Sequence, residues 1–110
     1  MPKFVNLTPH GVNIYDEKGE TLLMTVPPSG TVARCATKSE IVRKVARVPL
    51  LAISYGEVAD LPKKKRGTIY IVSLLVRAAC PDRKDLASPG ELLRNAEGQP
   101  VGCKGLAINR

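Results

Sequence analysis

The chain has 110 residues with a formal net charge of +7, a single histidine and no tryptophan. That length allows one hydrophobic core, so residues 1–110 are expected to form a single domain. The apolar runs are too short for a membrane helix and the N-terminus has no apolar signal region, which predicts a cytoplasmic protein without membrane contact. The basic excess is spread evenly along the chain and gives no concentrated nucleic-acid footprint.

Two short alternating segments, residues 4–7 and 12–15, open the chain. Their period of two predicts half-buried strands, and the Thr8-Pro9-His10-Gly11 sequence between them predicts a hairpin turn. Residues 16–19 form a second predicted turn, in which Gly19 can take a positive φ. Residues 20–26 are then expected to form a third strand.

The middle of the chain is less regular. Prolines at 27 and 28 should end the third strand because proline cannot donate to a ladder, and residues 31–36 resume the alternation. Residues 37–48 fit a short capped helix or a strand, and their β-branched side chains slightly favour a strand or irregular edge. Residues 50–55 predict a short strand, followed by a charged loop at residues 63–66.

The last third contains the strongest strand pattern. Residues 68–72 are apolar on both faces, which predicts a central strand. Ser73 is placed to cap a helix over residues 74–79, with Leu74, Leu75 and Ala78 as its apolar stripe and Arg77 exposed. Residues 81–100 predict a long loop with one helical turn at 91–94, and residues 101–108 a closing strand.

The fold class that follows is α+β, with a mainly antiparallel, curled or barrel-like small sheet of about five to seven short strands and one short helix. Cys35, Cys80 and Cys103 are odd in number and widely spaced, without a C-x-x-C pair. That spacing predicts buried free thiols, no metal site and no cofactor.

His10 is the first candidate for chemistry, because histidine exchanges protons near neutral pH. No nucleophile or carboxylate partner stands close to it in sequence except Thr8 and the acids of the next turn. A structural role, with His10 ending a strand and bonding the turn backbone, is therefore favoured over catalysis.

Several hydroxyl and guanidinium groups could meet one small anion. Arg34 follows Ser29-Gly30-Thr31 by three residues, and Arg77 follows Ser73 by four. These spacings are weak signals, since neither a Walker loop nor a dinucleotide fingerprint is present and capping alone explains Ser73. Arg83 and Asp85 open the predicted long loop, where they form either part of a site or a surface ion pair.

The densest charge run is Lys63-Lys64-Lys65-Arg66. It is expected to be a solvated loop that keeps a sheet edge soluble, with phosphate contact as the alternative. The few aromatic residues do not interleave with basic ones, which argues against sequence-specific nucleic-acid recognition.

Five segments together resemble a family of small uncharacterised bacterial and phage proteins. They are FVNLTPH at residues 4–10, PSGTVAR at 28–34, YGEV at 55–58, GTIYIVS at 67–73 and VGCKGL at 101–106. The resemblance spans nearly the whole chain and implies a bacterial or phage cytoplasm. It carries no established activity.

The combined prediction is a non-enzymatic protein that binds a nucleotide, a nucleotide signal or another phosphate-bearing small ligand in phage–host interplay. The expected ligand-binding residues are Thr8, His10, Arg34, Ser73, Arg77, Arg83 and Asp85. In this interpretation the arginines neutralise phosphate, Thr8 and Ser73 donate hydrogen bonds, and Asp85 orients an arginine or bonds a ribose hydroxyl. Two alternatives stay open: a protein–protein module that inhibits a host enzyme, and a phosphodiester-cleaving enzyme that uses His10. Homo-oligomerisation is compatible with each of them.

Overall fold

The computed structural model describes residues 3–110, which form eight strands and one helix. The elements are β1 (Lys3–Asn6), β2 (Val12–Tyr15), β3 (Leu22–Val26), β4 (Arg34–Val45), β5 (Val48–Ala59), β6 (Thr68–Ile71), α1 (Leu74–Ala79), β7 (Leu86–Arg94) and β8 (Pro100–Ile108). Six strands form one sheet in the order β1-β6-β7-β8-β2-β3, while β4 and β5 form a separate two-stranded ribbon.

The six-stranded sheet curls until its two edges nearly meet. A bridge between Asn6 and Pro28 links the end of β1 to the chain just after β3. The predicted barrel-like sheet with one short helix is therefore confirmed. The sheet is mixed, however, because β1–β6, β6–β7 and β2–β8 pair in parallel and β2–β3 and β7–β8 pair antiparallel.

The predicted hairpin between the first two strands is wrong. β1 pairs with β6, with Lys3 opposite Thr68, and β2 lies between β3 and β8. Alternation identified both strands correctly, but it carries no information about their partners. The Thr8–Gly11 connection crosses from one side of the curled sheet to the other.

The prediction of a central strand at residues 68–72 is confirmed, since β6 has a partner on each side. Tyr70 and Val72 face one buried cluster together with Leu7 and Val76. Ile71 faces a second cluster that contains Val12, Ile14, Val26 and Cys103. The two-sided burial explains why this strand is apolar on both faces.

The helix is confirmed, but its predicted orientation is wrong. Ser73 caps α1 and accepts a hydrogen bond from the Val76 amide at 3.2 Å. Val76 is the buried residue, whereas Leu74, Leu75 and Ala78 are exposed and Arg77 is half-buried. A helix of 6 residues has fewer than two turns, so one side chain suffices to anchor it.

Half of the predicted long loop at residues 81–100 is strand. β7 takes up Leu86–Arg94, including the segment expected to be a helical turn, and pairs antiparallel with β8. Pro89 and Gly90 led the sequence to predict a loop here, because both residues are uncommon inside strands. The closing strand is confirmed and begins at Pro100.

Residues 37–45 and 48 are strand, as the β-branched pattern favoured, and a two-residue turn separates them. They belong to a ribbon whose strands each have 12 residues, far longer than expected. Ala46 and Arg47 make the turn, with φ values of 51° and 69°. We call residues 34–59 the arm.

Candidate functional site

Two adjoining cavities lie where the β1–β2 connection meets the start of α1. The larger has a volume of about 530 Å³ and is lined by Thr8, His10, Ser73, Leu74, Ser88 and Pro89, among others. The smaller has about 270 Å³ and is lined by Thr8, Ser73 and Arg34, together with Leu7, Pro9 and the neighbours of Arg34. Because Thr8 and Ser73 belong to both, we treat the two cavities as one cleft.

Asn6 fixes the shape of one wall of the cleft. This residue is 1% exposed, and its Nδ2 donates to the carbonyl oxygens of His10 at 2.8 Å and of Val26 at 3.0 Å. Its Oδ1 accepts from the Thr8 amide at 2.9 Å. A buried carboxamide with all these bonds satisfied holds the Thr8–Gly11 connection in one conformation.

The Thr8 hydroxyl is engaged within the same network. Its oxygen lies 2.6 Å from Asn6 Oδ1 and 3.0 Å from the His10 carbonyl oxygen. Both neighbours are acceptors, so the single hydroxyl proton is already used. Thr8 lines the cleft but is poorly placed to donate to a ligand, in contrast to the role expected from the sequence.

Ser73 is placed differently. Its Oγ accepts the Val76 amide and makes no donated hydrogen bond within residues 3–110. A serine hydroxyl carries one proton besides its acceptor lone pairs, so Ser73 can donate that proton into the cleft.

Arg34 and His10 supply the polar side chains without partners on the cleft walls. Both are exposed, and neither forms a side-chain hydrogen bond or ion pair with another described residue. Arg34 begins β4, which places it at the base of the arm. Among the residues that the structure describes, no aspartate or glutamate lines either cavity, so the local charge of the cleft favours anions.

Arg77 lies behind the cleft wall. Its Nε donates to Ser88 Oγ at 2.8 Å, and its Nη1 donates to the Ile108 carbonyl and Asn109 Oδ1, both at 3.2 Å. Ser88 is buried and lines the larger cavity. Arg77 therefore touches the cleft through Ser88 and ties the C-terminal strand to α1.

Arg83 and Asp85 lie away from the cleft. They form a two-bond ion pair, at 2.8 Å and 2.7 Å, and Arg83 also donates to the Pro62 carbonyl at 3.0 Å. Hydrogen bonding to Arg83 holds the pKa of Asp85 below its ordinary value, and the same bond raises the pKa of Arg83. This pair anchors the segment that precedes β6.

Asp85 instead lines a third cavity of about 330 Å³ with Lys64, Lys65, Arg66 and Lys84. The basic run is a loop that connects β5 of the ribbon to β6 of the six-stranded sheet. Its side chains are exposed.

The described residues contain no group of three or more His, Cys, Asp or Glu that could hold a metal ion. Cys35 and Cys80 are half-buried and Cys103 is buried, and all three are free thiols. The single helix found in residues 3–110 is too short to cross a membrane.

The structure brings Arg34 and Ser73, which stand far apart in sequence, to the connection that holds Thr8 and His10. It also adds residues that the sequence did not indicate. Asn6 could have been noticed as a polar residue at an inward position of an apolar strand, whereas nothing in the sequence pointed to Ser88 or Pro89.

Comparisons with family models, with curated proteins and with solved structures found no match to this chain.

Proposed function

We propose that this chain is a non-enzymatic binding protein whose cleft holds a nucleotide or another phosphate-bearing small molecule. The observation that carries the proposal is the convergence of Thr8, Arg34 and Ser73 on one cavity, with His10 on the adjoining wall. The bacterial or phage cytoplasm implied by the sequence resemblance is the setting that we propose for it.

The phosphate would be bound by Arg34 and Ser73. A guanidinium presents several donors in a plane that matches phosphate oxygens, and Ser73 has a free hydroxyl proton beside it. His10 adds a further donor at the mouth of the cleft. The proposal drops Arg83 and Asp85 from the site, because each already satisfies the other.

The organic part of the ligand would lie in the larger cavity. Its apolar walls are formed by Val12, Leu74, Pro89 and Leu92. The side chain of Leu74 is exposed, so it is accessible to a ligand. A volume of about 530 Å³ suits a drug-sized or nucleotide-sized molecule, for which pockets of about 300–1,000 Å³ are usual. Apolar walls next to the free guanidinium of Arg34 favour a ligand with both a ring system and a phosphate.

The test is a thermal-shift screen with orthophosphate, nucleoside mono-, di- and triphosphates, and cyclic mono- and dinucleotides. Ligands that bind the native state raise the melting temperature in a concentration-dependent way. We expect a shift for at least one nucleotide and a smaller one for orthophosphate. If none of these compounds moves the melting temperature at millimolar concentration, the proposal is wrong.

Calorimetry on variants then locates the site. Arg34→Ala should weaken binding by about 10- to 100-fold, since hydrogen bonds to a charged group contribute about 1.5–3 kcal/mol. Arg43→Ala, in the same strand but outside the lining of both cavities, is the matched control and should bind as the native chain does. Loss of binding in Lys65→Ala with normal binding in Arg34→Ala would place the ligand at the third cavity instead.

A phosphodiester-cleaving enzyme is the second candidate, because His10 shares the larger cavity with the hydroxyls of Ser73 and Ser88. Chromatography of the bound nucleotide after incubation separates the two functions. Recovery of intact ligand supports a binding protein. Turnover that disappears in His10→Ala while binding persists would establish the enzyme.

A further inference from the structure

The arm exposes a row of large apolar side chains. Ile41, Leu51, Ile53 and Tyr55 are 55%, 53%, 58% and 57% exposed. Only the base of the arm reaches the core, where Cys35 and Val58 pack against the Leu7 cluster. Two-stranded ribbons of this kind are at best marginally stable in water, so an uncovered apolar arm needs a partner surface.

The strand register sorts the arm into two faces. Residues directly opposite each other in an antiparallel pair point to the same side. Tyr55 is opposite Thr37, Ile53 opposite Ser39, and Leu51 opposite Ile41, so these six residues form an uncharged surface on one side of the ribbon. We call them the apolar face. On that side the Lys44–Pro49 pair follows towards the turn and marks the end of the uncharged surface. The intervening pairs, Lys38 with Ser54 and Glu40 with Ala52, form the charged side.

The shape of the chain shows how much surface is left open. The chain exposes 7969 Å², whereas a compact monomer of 11.9 kDa is expected to expose about 5,900 Å². Its radius of gyration is 16.4 Å, against about 13 Å for a compact domain of this length. The excess surface of about 2,000 Å² lies within the range of about 1,000–2,500 Å² that each chain of an extensive homodimer buries.

From these observations we propose that the apolar face of the arm packs against the same face of a second copy of this chain. A two-fold contact brings residues near its axis close to their own copies, so like charges near the axis of a charged face would meet. The three pairs that form the apolar face carry no charge, as such a contact requires. The charged side of the ribbon then stays in water.

The absence of charge on this face also argues against an acidic partner protein. Recognition of an acidic partner would use the basic residues Lys38 and Arg43, which gives it electrostatic complementarity and a faster association rate. Lys38 lies on the opposite side of the ribbon from Leu51 and Ile53, as its pairing with Ser54 shows. A two-fold contact between copies would instead bury the exposed apolar residues Leu51 and Ile53.

The test is sedimentation equilibrium of the full chain over a micromolar to submillimolar range. We expect the mass of a dimer, twice 11.9 kDa. Ile53→Lys should weaken association by about 100-fold or more, because it buries a charge at the centre of the interface. Ala52→Lys is the matched control: it lies next to Ile53 on the same strand but faces the other side, opposite Glu40, and should leave the dimer intact.

Circular dichroism and thermal melting of both variants verify that the fold survives. Hydrogen exchange provides a second measurement, since the arm amides of the native chain should become less protected on dilution and those of β6 should not. A native chain that stays monomeric at the highest concentration overturns the proposal. So does a dimer that Ile53→Lys and Ala52→Lys weaken equally, or an arm that is occupied by a different protein purified with the chain.

Discussion

The Nδ2 atom of Asn6 donates a hydrogen bond to the carbonyl oxygen of His10 at 2.8 Å, from a fully buried position beneath the connection between β1 and β2. The bond joins the core of the sheet to the rim of the cleft. It keeps the His10 backbone fixed while leaving the imidazole exposed. The position of His10 is therefore set by a residue four positions earlier in the chain.

Asn6→Ala should destabilise the chain by about 2–3 kcal/mol, because it leaves the Val26 and His10 carbonyl oxygens short of a donor and opens a small cavity. Urea denaturation measures the change. Asn13→Ala is the control, since that carboxamide bonds Val101 and Thr25 in a solvent-exposed setting, and it should cost about 1 kcal/mol or less. Equal losses in the two variants would contradict the role assigned to Asn6.

Acid should weaken the fold partly through Asp85. Its pKa is lowered in the folded chain by Arg83, so its contribution is complete above the unfolded value of about 3.9 and is lost as the pH falls through the lower folded value. Asp85→Asn should cost about 3 kcal/mol at pH 7, and the difference from the native chain should shrink as the pH falls below about 4.

Urea titrations at a series of pH values measure this effect. Asp82→Asn, which changes an exposed neighbour of the pair, is the control and should follow the native pH profile. A gap between Asp85→Asn and the native chain that stays constant down to pH 3 would show that the ion pair does not cause the acid dependence.

Gly90→Ala should disrupt the pairing of β7 with β8. A Cβ atom at Gly90 would collide with the carbonyl oxygen of Lys104 and would come within 3.0 Å of that of Gly105. Both obstacles are backbone atoms, so we expect a loss of about 2–3 kcal/mol. Gly11→Ala is the matched control, because its Cβ would meet only the Val26 carbonyl oxygen at an ordinary 3.8 Å, and its melting temperature should stay near the native value.

The three thiols should differ in reactivity. Burial raises the pKa of the Cys103 thiol, and the thiolate is the form that reacts with alkylating reagents. Mass spectrometry during iodoacetamide treatment should show modification of the half-buried Cys35 and Cys80 first, with Cys103 modified at a comparable rate only in urea. Prompt labelling of Cys103 in the native chain would contradict its buried position.

The sequence predicted individual strands better than their partners. Residues 68–72 were identified as a central strand because apolar side chains on both faces report burial directly. The same kind of local pattern suggested that β1 and β2 form a hairpin, yet their partners are β6, β8 and β3. Pairing depends on residues that are remote in sequence, which a short window does not contain.

The candidate site was predicted in part for a similar reason. The hydroxyl and guanidinium groups of Thr8, Arg34 and Ser73 predict an anion site, and the topology places these residues around one cavity. Arg83 and Asp85 are also predicted ligand-binding residues, but they bind each other. Their i, i+2 spacing alone does not distinguish an ion pair from a ligand site. Ser88 became relevant only because β7 forms where a loop was expected.

The pairing of β1 with β6 has a consequence for how the chain folds. Lys3 is the partner of Thr68, and the entire arm separates the two strands. The entropy cost of closing so long a loop precedes the gain from the contacts between its ends, and this slows folding. We therefore expect refolding on a millisecond to second timescale. On the ribosome, β1 must wait for residues 68–71 before it can join its sheet.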